Sequence, residues 1–143
     1  MRGNESEYFT VTEKDREMRH AVYLARKHVR VFIAALRNPK PGQADFEVKK
    51  PFVQGNHVEH IWLAKVTFSG GRFHGYVDNH PQEITGLKLG QRVSVNPDEI
   101  SDWLFVDNGK LVGGYTVRVL YHSLTPDRQK EFTEQADFKI EPQ

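Results

Sequence analysis

The chain has 143 residues, with 20 basic and 19 acidic side chains, a formal net charge of +1 and no cysteine. That length suits one domain able to bury its own core. The lack of cysteine excludes disulfide frameworks, thiolate-held zinc and cysteine nucleophiles, and it fits a reducing compartment, so a cytoplasmic location is expected. The even charge balance gives no general support for nucleic-acid or membrane-surface binding. Residues 1–7 lack the apolar run of a secretory signal, and no apolar stretch approaches the roughly 18 residues of a membrane span, so no membrane partner is expected.

Taken in order, residues 1–11 are polar and predict a flexible N-terminus ahead of a single domain over 12–143. Thr12 with Asp15 three positions on resembles a helix N-cap, and Glu13 suits the first turn. Met18, Val22, Ala25, Val29, Phe32 and Leu36 recur at steps of four and three, which draws one apolar stripe down a long helix. Pro39 ends it, because the residue before a proline is pushed out of helical geometry.

Residues 46–53, with Lys49-Lys50-Pro51, predict an edge strand. After Gly55-Asn56, residues 58–68 and 72–77 predict a hairpin turned by Gly70-Gly71. With those glycines as the loop, Phe68 faces Phe73, Ala64 faces Val77 and Trp62 faces Asn79. Residues 79–90 read as loop and 91–95 as a short strand, with a further turn at Asn96-Pro97-Asp98. Asn108-Gly109 predicts a type I′ hairpin between 103–107 and 110–120, setting Asp107 opposite Lys110 and Trp103 opposite Gly114. Thr125-Pro126-Asp127 starts a C-terminal helix, with threonine as the cap and proline at the first position.

These elements predict an α+β fold: a long N-terminal helix on a strongly twisted antiparallel sheet of about five strands, closed by a short C-terminal helix. Ile61 and Leu63 alternate with Trp62, Ala64 and Val66, so both faces look apolar, which predicts a sheet covered on both sides or curled into a small barrel.

In order along the chain stand Ala21 to Arg26 with Phe32, then Phe46-Glu47-Val48-Lys49, Glu59-His60-Ile61-Trp62-Leu63 and Phe73-His74-Gly75. Asn79 with Pro81, Ser101-Asp102-Trp103 and Gly113-Gly114-Tyr115-Thr116-Val117-Arg118 follow. Over residues 15–121 this series resembles the YegJ-like family, a bacterial domain of unknown function numbered 2314. The resemblance implies no activity, cofactor or substrate. Since some members carry export signals, it does not fix the compartment either.

The two tryptophans each sit beside a titratable side chain, in Glu59-His60-Ile61-Trp62 and Ile100-Ser101-Asp102-Trp103. Such a pairing builds either a buried hydrogen-bonded corner or the wall of a pocket. Adjacent strand residues leave opposite faces, so Glu59 and His60 do not form a dyad without a bulge. His60 and Trp62 share a face. The candidate binding set is His60, Trp62, Asn79, Asp102, Trp103, Thr116 and Arg118, with Arg118 as a bidentate anion anchor projecting from a strand beside Thr116. The alternative is that Asp102 caps a turn or pairs with Arg118, and that both indoles are core.

His57, His60, His74 and His80 fall within 24 residues, but the hairpin separates His60 from His74, so no metal site is expected. Residues 13–37 hold seven Lys or Arg, including Arg19, Arg26, Lys27, Arg30 and Arg37, against three acidic groups. That face suits either a solvated helix or nucleic acid. No phosphate loop, nucleophile elbow or dinucleotide fingerprint is present.

The leading reading is a non-catalytic binding or accessory module with a polar-aromatic pocket for a small anionic ligand or a protein, and no cofactor. The alternatives are a small hydrolase-like enzyme with His60 as general base, oriented by Asp102 or Glu59, and a nucleic-acid binder acting through the helix.

Overall fold

The computed structural model describes residues 13–142; segment 1–11 and the Thr12 cap lie outside the described residues. The chain forms α1 (Glu13–Lys27), α2 (Val29–Arg37), β1 (Gln43–Gln54), β2 (His57–Ser69), β3 (Arg72–Val77), β4 (Arg92–Val95), β5 (Asp102–Asp107), β6 (Lys110–Gly113), α3 (Tyr115–His122) and α4 (Pro126–Ala136). The fold is α+β, with helices packed on a six-stranded antiparallel sheet of order β4-β3-β2-β1-β5-β6. The sheet is open, not closed into a barrel. No helix among the described residues is long and apolar enough to cross a membrane.

The expected single N-terminal helix is two. At His28 the backbone leaves helical geometry (φ −105°, ψ 15°). The Val31 N–H turns to the His28 carbonyl at 3.0 Å, a tight i to i+3 bond. The His28 ring stacks on Tyr115 of α3 with centroids 6.2 Å apart. The apolar stripe survives the break: Ala25 and Phe32 are fully buried, and Val29 and Leu36 pack against the core.

Strand β1 lies between β2 and β5, so the edge-strand expectation is wrong. Its proline is tolerated because pairing with β5 ends at Lys49↔Asp102, while Pro51 pairs only with His60 of β2. The side of β1 that would need a donor at Pro51 has no neighbour there.

Both two-residue hairpins form where expected, with Phe68↔Phe73 and Asp107↔Lys110 in register. Asn108 and Gly109 carry the positive φ values, 51° and 83°, of a primed turn. Further along β2 the register differs by one from the expectation, Leu63↔Val77 and Ala64↔Tyr76, because a bulge intervenes before Thr67. Lys65 takes φ 54° there. The bulge reverses the alternation, so Ile61, Leu63 and then Val66 are all buried. This explains the run that looked apolar on both faces. One face carries the main core, the other is covered in part, over Lys49, Asp102 and Leu104, and the sheet does not close into a barrel.

The longest correction concerns residues 110–120. Only Lys110–Gly113 is strand, and Tyr115–His122 is helix. Gly113 and Gly114 turn the chain at φ 74° and 62°. A Cβ on Gly113 would lie 2.5 Å from the Trp103 ring, so the indole covers bare backbone at Gly113, one residue short of the expected Gly114. Thr125 caps α4 as expected, its hydroxyl accepting the Arg128 N–H.

Candidate functional site

Paired residues in a sheet share a face. The pairs Lys49↔Trp62, Pro51↔His60 and Lys49↔Asp102 therefore place His60, Trp62, Asp102 and Lys49 on one face, while Val48↔Leu63 and Val48↔Trp103 place Trp103 on the other. The two indoles do not meet. Trp103 is 1% exposed, stacks among Phe32 and Phe105 and donates its Nε1–H to the Ala25 carbonyl at 2.8 Å. It is core.

Asp102 is fully buried and accepts four hydrogen bonds. Oδ1 takes the N–H groups of Trp103 (2.8 Å) and Tyr115 (3.0 Å), and Oδ2 takes the Thr116 N–H (2.9 Å) and hydroxyl (2.5 Å). A carboxylate from a neighbouring strand thus caps the start of α3, satisfying orphan N–H groups and opposing the helix dipole. Lys49, 8% exposed, donates from Nζ to Thr116 Oγ1 at 2.6 Å and lies 5.4 Å from the centroid of the Trp62 ring.

The chain Lys49, Thr116, Asp102 is a buried polar relay. Burial pushes the Lys49 ammonium below the usual lysine range, with Asp102 pulling the other way. Burial likewise pushes Asp102 up, opposed first by the Thr116 hydroxyl and then by Lys49.

His60 sits beside this relay, its Nδ1 3.0 Å from Ser101 Oγ. Partial burial of the ring, and then the Lys49 ammonium, push its pKa down and favour neutral imidazole. Lys49, His60 and Thr116 form one wall of a cavity of about 530 Å³ whose other wall is α1, with Met18, Arg19, Val22, Tyr23 and Arg26. The volume lies within the range of small-molecule sites. Helix α1 is anchored there by Arg26 Nε, which donates to the Ile100 carbonyl at 2.7 Å.

The remaining expected residues serve elsewhere. Asn79 Oδ1 accepts the Trp62 backbone N–H at 2.7 Å, tying loop to strand. Arg118, on a helix and not the expected strand, donates to the carbonyls of Gly113 (2.9 Å), Leu111 (2.8 Å) and Glu141. It lines a separate groove with Leu24 and Tyr115, so it is not brought to His60. Glu59 leaves the face opposite His60, and its carboxylate accepts the backbone N–H groups of Gln82, Glu83 and Ile84. Of the four clustered histidines, His57 meets Glu83 at 3.5 Å and His74 meets Ser94 at 2.7 Å.

Lys49 and the α1 wall were missed. The alternation of Phe46 and Val48 puts Lys49 on the face away from the core, yet only its pairing with Asp102 shows it to be buried, and that pairing follows from β1 being central.

The family model described as an uncharacterized protein conserved in bacteria, DUF2314, matches residues 15–140. The match continues past residue 121 and through α4. The chain is similar to the uncharacterized protein YegJ of Escherichia coli K12, 36% identical over 100 residues, covering 70% of this chain and 64% of that protein. It is also similar to a "putative ankyrin repeat protein" of Neisseria meningitidis serogroup B, 34% identical over 135 residues, covering 89% of this chain and 53% of that protein. The matched region is thus less than two thirds of either relative's length. No solved structure matches the chain. On the family match and the Escherichia coli relative together, the chain belongs to the YegJ-like DUF2314 family of bacterial proteins.

Proposed function

We propose that the protein is a non-catalytic binding module whose ligand enters the cavity between α1 and the sheet. The observation that carries this reading is the convergence of Lys49, His60 and Thr116 on one wall of that cavity, opposite Met18 and Val22. A largely apolar pocket with a few convergent polar groups is the general form of a small-molecule site. The hydrolytic alternative, with His60 as general base, has less support. Asp102, its intended orienter, is spent on the N-terminus of α3, and Glu59 leaves the opposite face.

A thermal-shift screen of the full chain over carboxylates, nucleotides and sugars tests the proposal. A ligand bound at a hundred times its Kd adds about 2.7 kcal/mol to the native state. At least one class is expected to raise Tm, and His60→Gln should retain its own Tm while losing most of that increase. If no class shifts Tm, or if His60→Gln shifts as much as the parent, the cavity is not the site.

A further inference from the structure

The two walls of the cavity differ in chemistry. On the sheet side, Lys49 brings an ammonium into a site where it is only 8% exposed. Among the described residues its one side-chain hydrogen bond is to a neutral hydroxyl, that of Thr116, and an ammonium has three donors. Asp102 does not meet that need directly, because its two oxygens already hold four donors. Arg19 and Arg26 add positive charge at the α1 side. Asp102 reaches the ammonium only through the Thr116 hydroxyl, so Lys49 keeps donors for a direct partner, and an anion delivered to Nζ gains more there than at the surface.

On the helix side, Met18, Val22 and Tyr23 offer apolar surface and no anion-binding group. Tyr23 is 57% exposed and Met18 and Val22 are half-buried, so this surface is still open to an apolar body. Arg26 Nε is held by the Ile100 carbonyl, and the Arg19 and Arg26 guanidinium charges lie on the α1 wall, so the sheet wall itself presents one buried ammonium. At that wall one ammonium beside one neutral hydroxyl makes a seat for a single carboxylate, with the guanidinium groups across the cavity and not at the seat.

We propose that the cavity takes an amphipathic monocarboxylate, with its carboxylate seated on Lys49 and Thr116 beside His60 and its apolar body lying against Met18, Val22 and Tyr23. This deepens the binding-module reading and rests on it.

The test is calorimetric titration of the full chain with octanoate, octanol, acetate and inorganic phosphate, with Trp62 fluorescence as a second readout. Octanoate should bind at least about tenfold tighter than octanol or acetate, because neither the head nor the body suffices separately. Lys49→Met should bring octanoate down to the affinity of octanol while leaving octanol unchanged. Since Lys49 is buried and its replacement also perturbs the fold, Val22→Glu on half-exposed α1 gives a second route: a carboxylate placed in the apolar wall should weaken octanoate by about tenfold and octanol less.

Equal binding of octanoate and octanol would overturn recognition of the carboxylate while leaving the cavity as a site. Phosphate binding as tight as octanoate would overturn the monocarboxylate class. If the four probes fail but another compound raises Tm in a His60-dependent way, this inference falls and the binding-module reading stands. If nothing binds at all, both fall.

Discussion

Glu47 lies on β1 beside Asp45 and across the sheet from Leu104. Burial, followed by the charges of Asp78 and Asp45, pushes its carboxyl up from 4.5 to about 7. The folded chain therefore holds this proton more tightly than the unfolded chain. Stability from this group is full below about 4.5, declines as pH rises toward 7, and is lowest above it. Glu47→Gln should then equal the parent near pH 4 and exceed it at pH 8 by about 1–2 kcal/mol, after discounting 1.36 kcal/mol per unit for partial exposure. Urea unfolding at the two pH values checks this, and an identical difference at both would rule it out. None of this was visible in the sequence, where Glu47 is one acidic residue in an alternating strand. Its environment depends on Asp78, thirty-one positions away. Lys49 is the same lesson with the opposite charge: a lysine in a Lys-Lys-Pro run reads as solvent-facing, and only the β5 partner and α3 bury it.

Among the elements, loop 79–90 is tied to the strands by Gln54, which bonds Thr85, and by Glu59. Backbone donors from Glu83 and Gln82, and then Ile84, hold the Glu59 carboxyl below its usual range. For a depressed acid the stabilisation is present above the unfolded value of 4.5 and is lost as pH falls through the lowered folded value. Glu59→Ala should speed hydrogen exchange at the amides of residues 82–84 at neutral pH with little change in Tm. The parent should show the same local loosening only in acid. Unchanged exchange at those amides in the variant would refute the role.

The element that reversed the expectation is α3. Tyr115-Thr116-Val117 favours strand by local propensity, being aromatic and β-branched. Asp102 overrides that preference by accepting two N–H groups of the first turn, and the Gly113-Gly114 turn breaks the strand just before it. Propensity differences are tenths of a kcal/mol to about 1 kcal/mol per residue, whereas a buried cap supplies about 0.5–2 kcal/mol and also fixes where the helix begins.

At the scale of the molecule, Phe32 joins the helices to the sheet. Its ring lies 5.4 Å from Trp103, 5.5 Å from Phe73 and 5.8 Å from Phe46, centroid to centroid, and it is fully buried. Phe32→Ala should cost about 3–5 kcal/mol in denaturant unfolding. A loss under about 1 kcal/mol would mean that α2 is not an integral part of the core.

The sequence by itself determined the class of the fold, the apolar stripe through Ala25 and Phe32, both hairpin turns and the cap of α4. Each of these depends on neighbours within a few positions, through helical or strand periodicity and turn geometry. The tertiary structure decided that β1 is central, that a bulge at Lys65 puts Ile61 and Val66 on one face, that Asp102 starts α3, and that Lys49 meets His60 and Thr116 across from α1. These depend on pairings between distant segments, and whether a charge is buried or a backbone N–H is capped is set by what arrives from elsewhere in the chain.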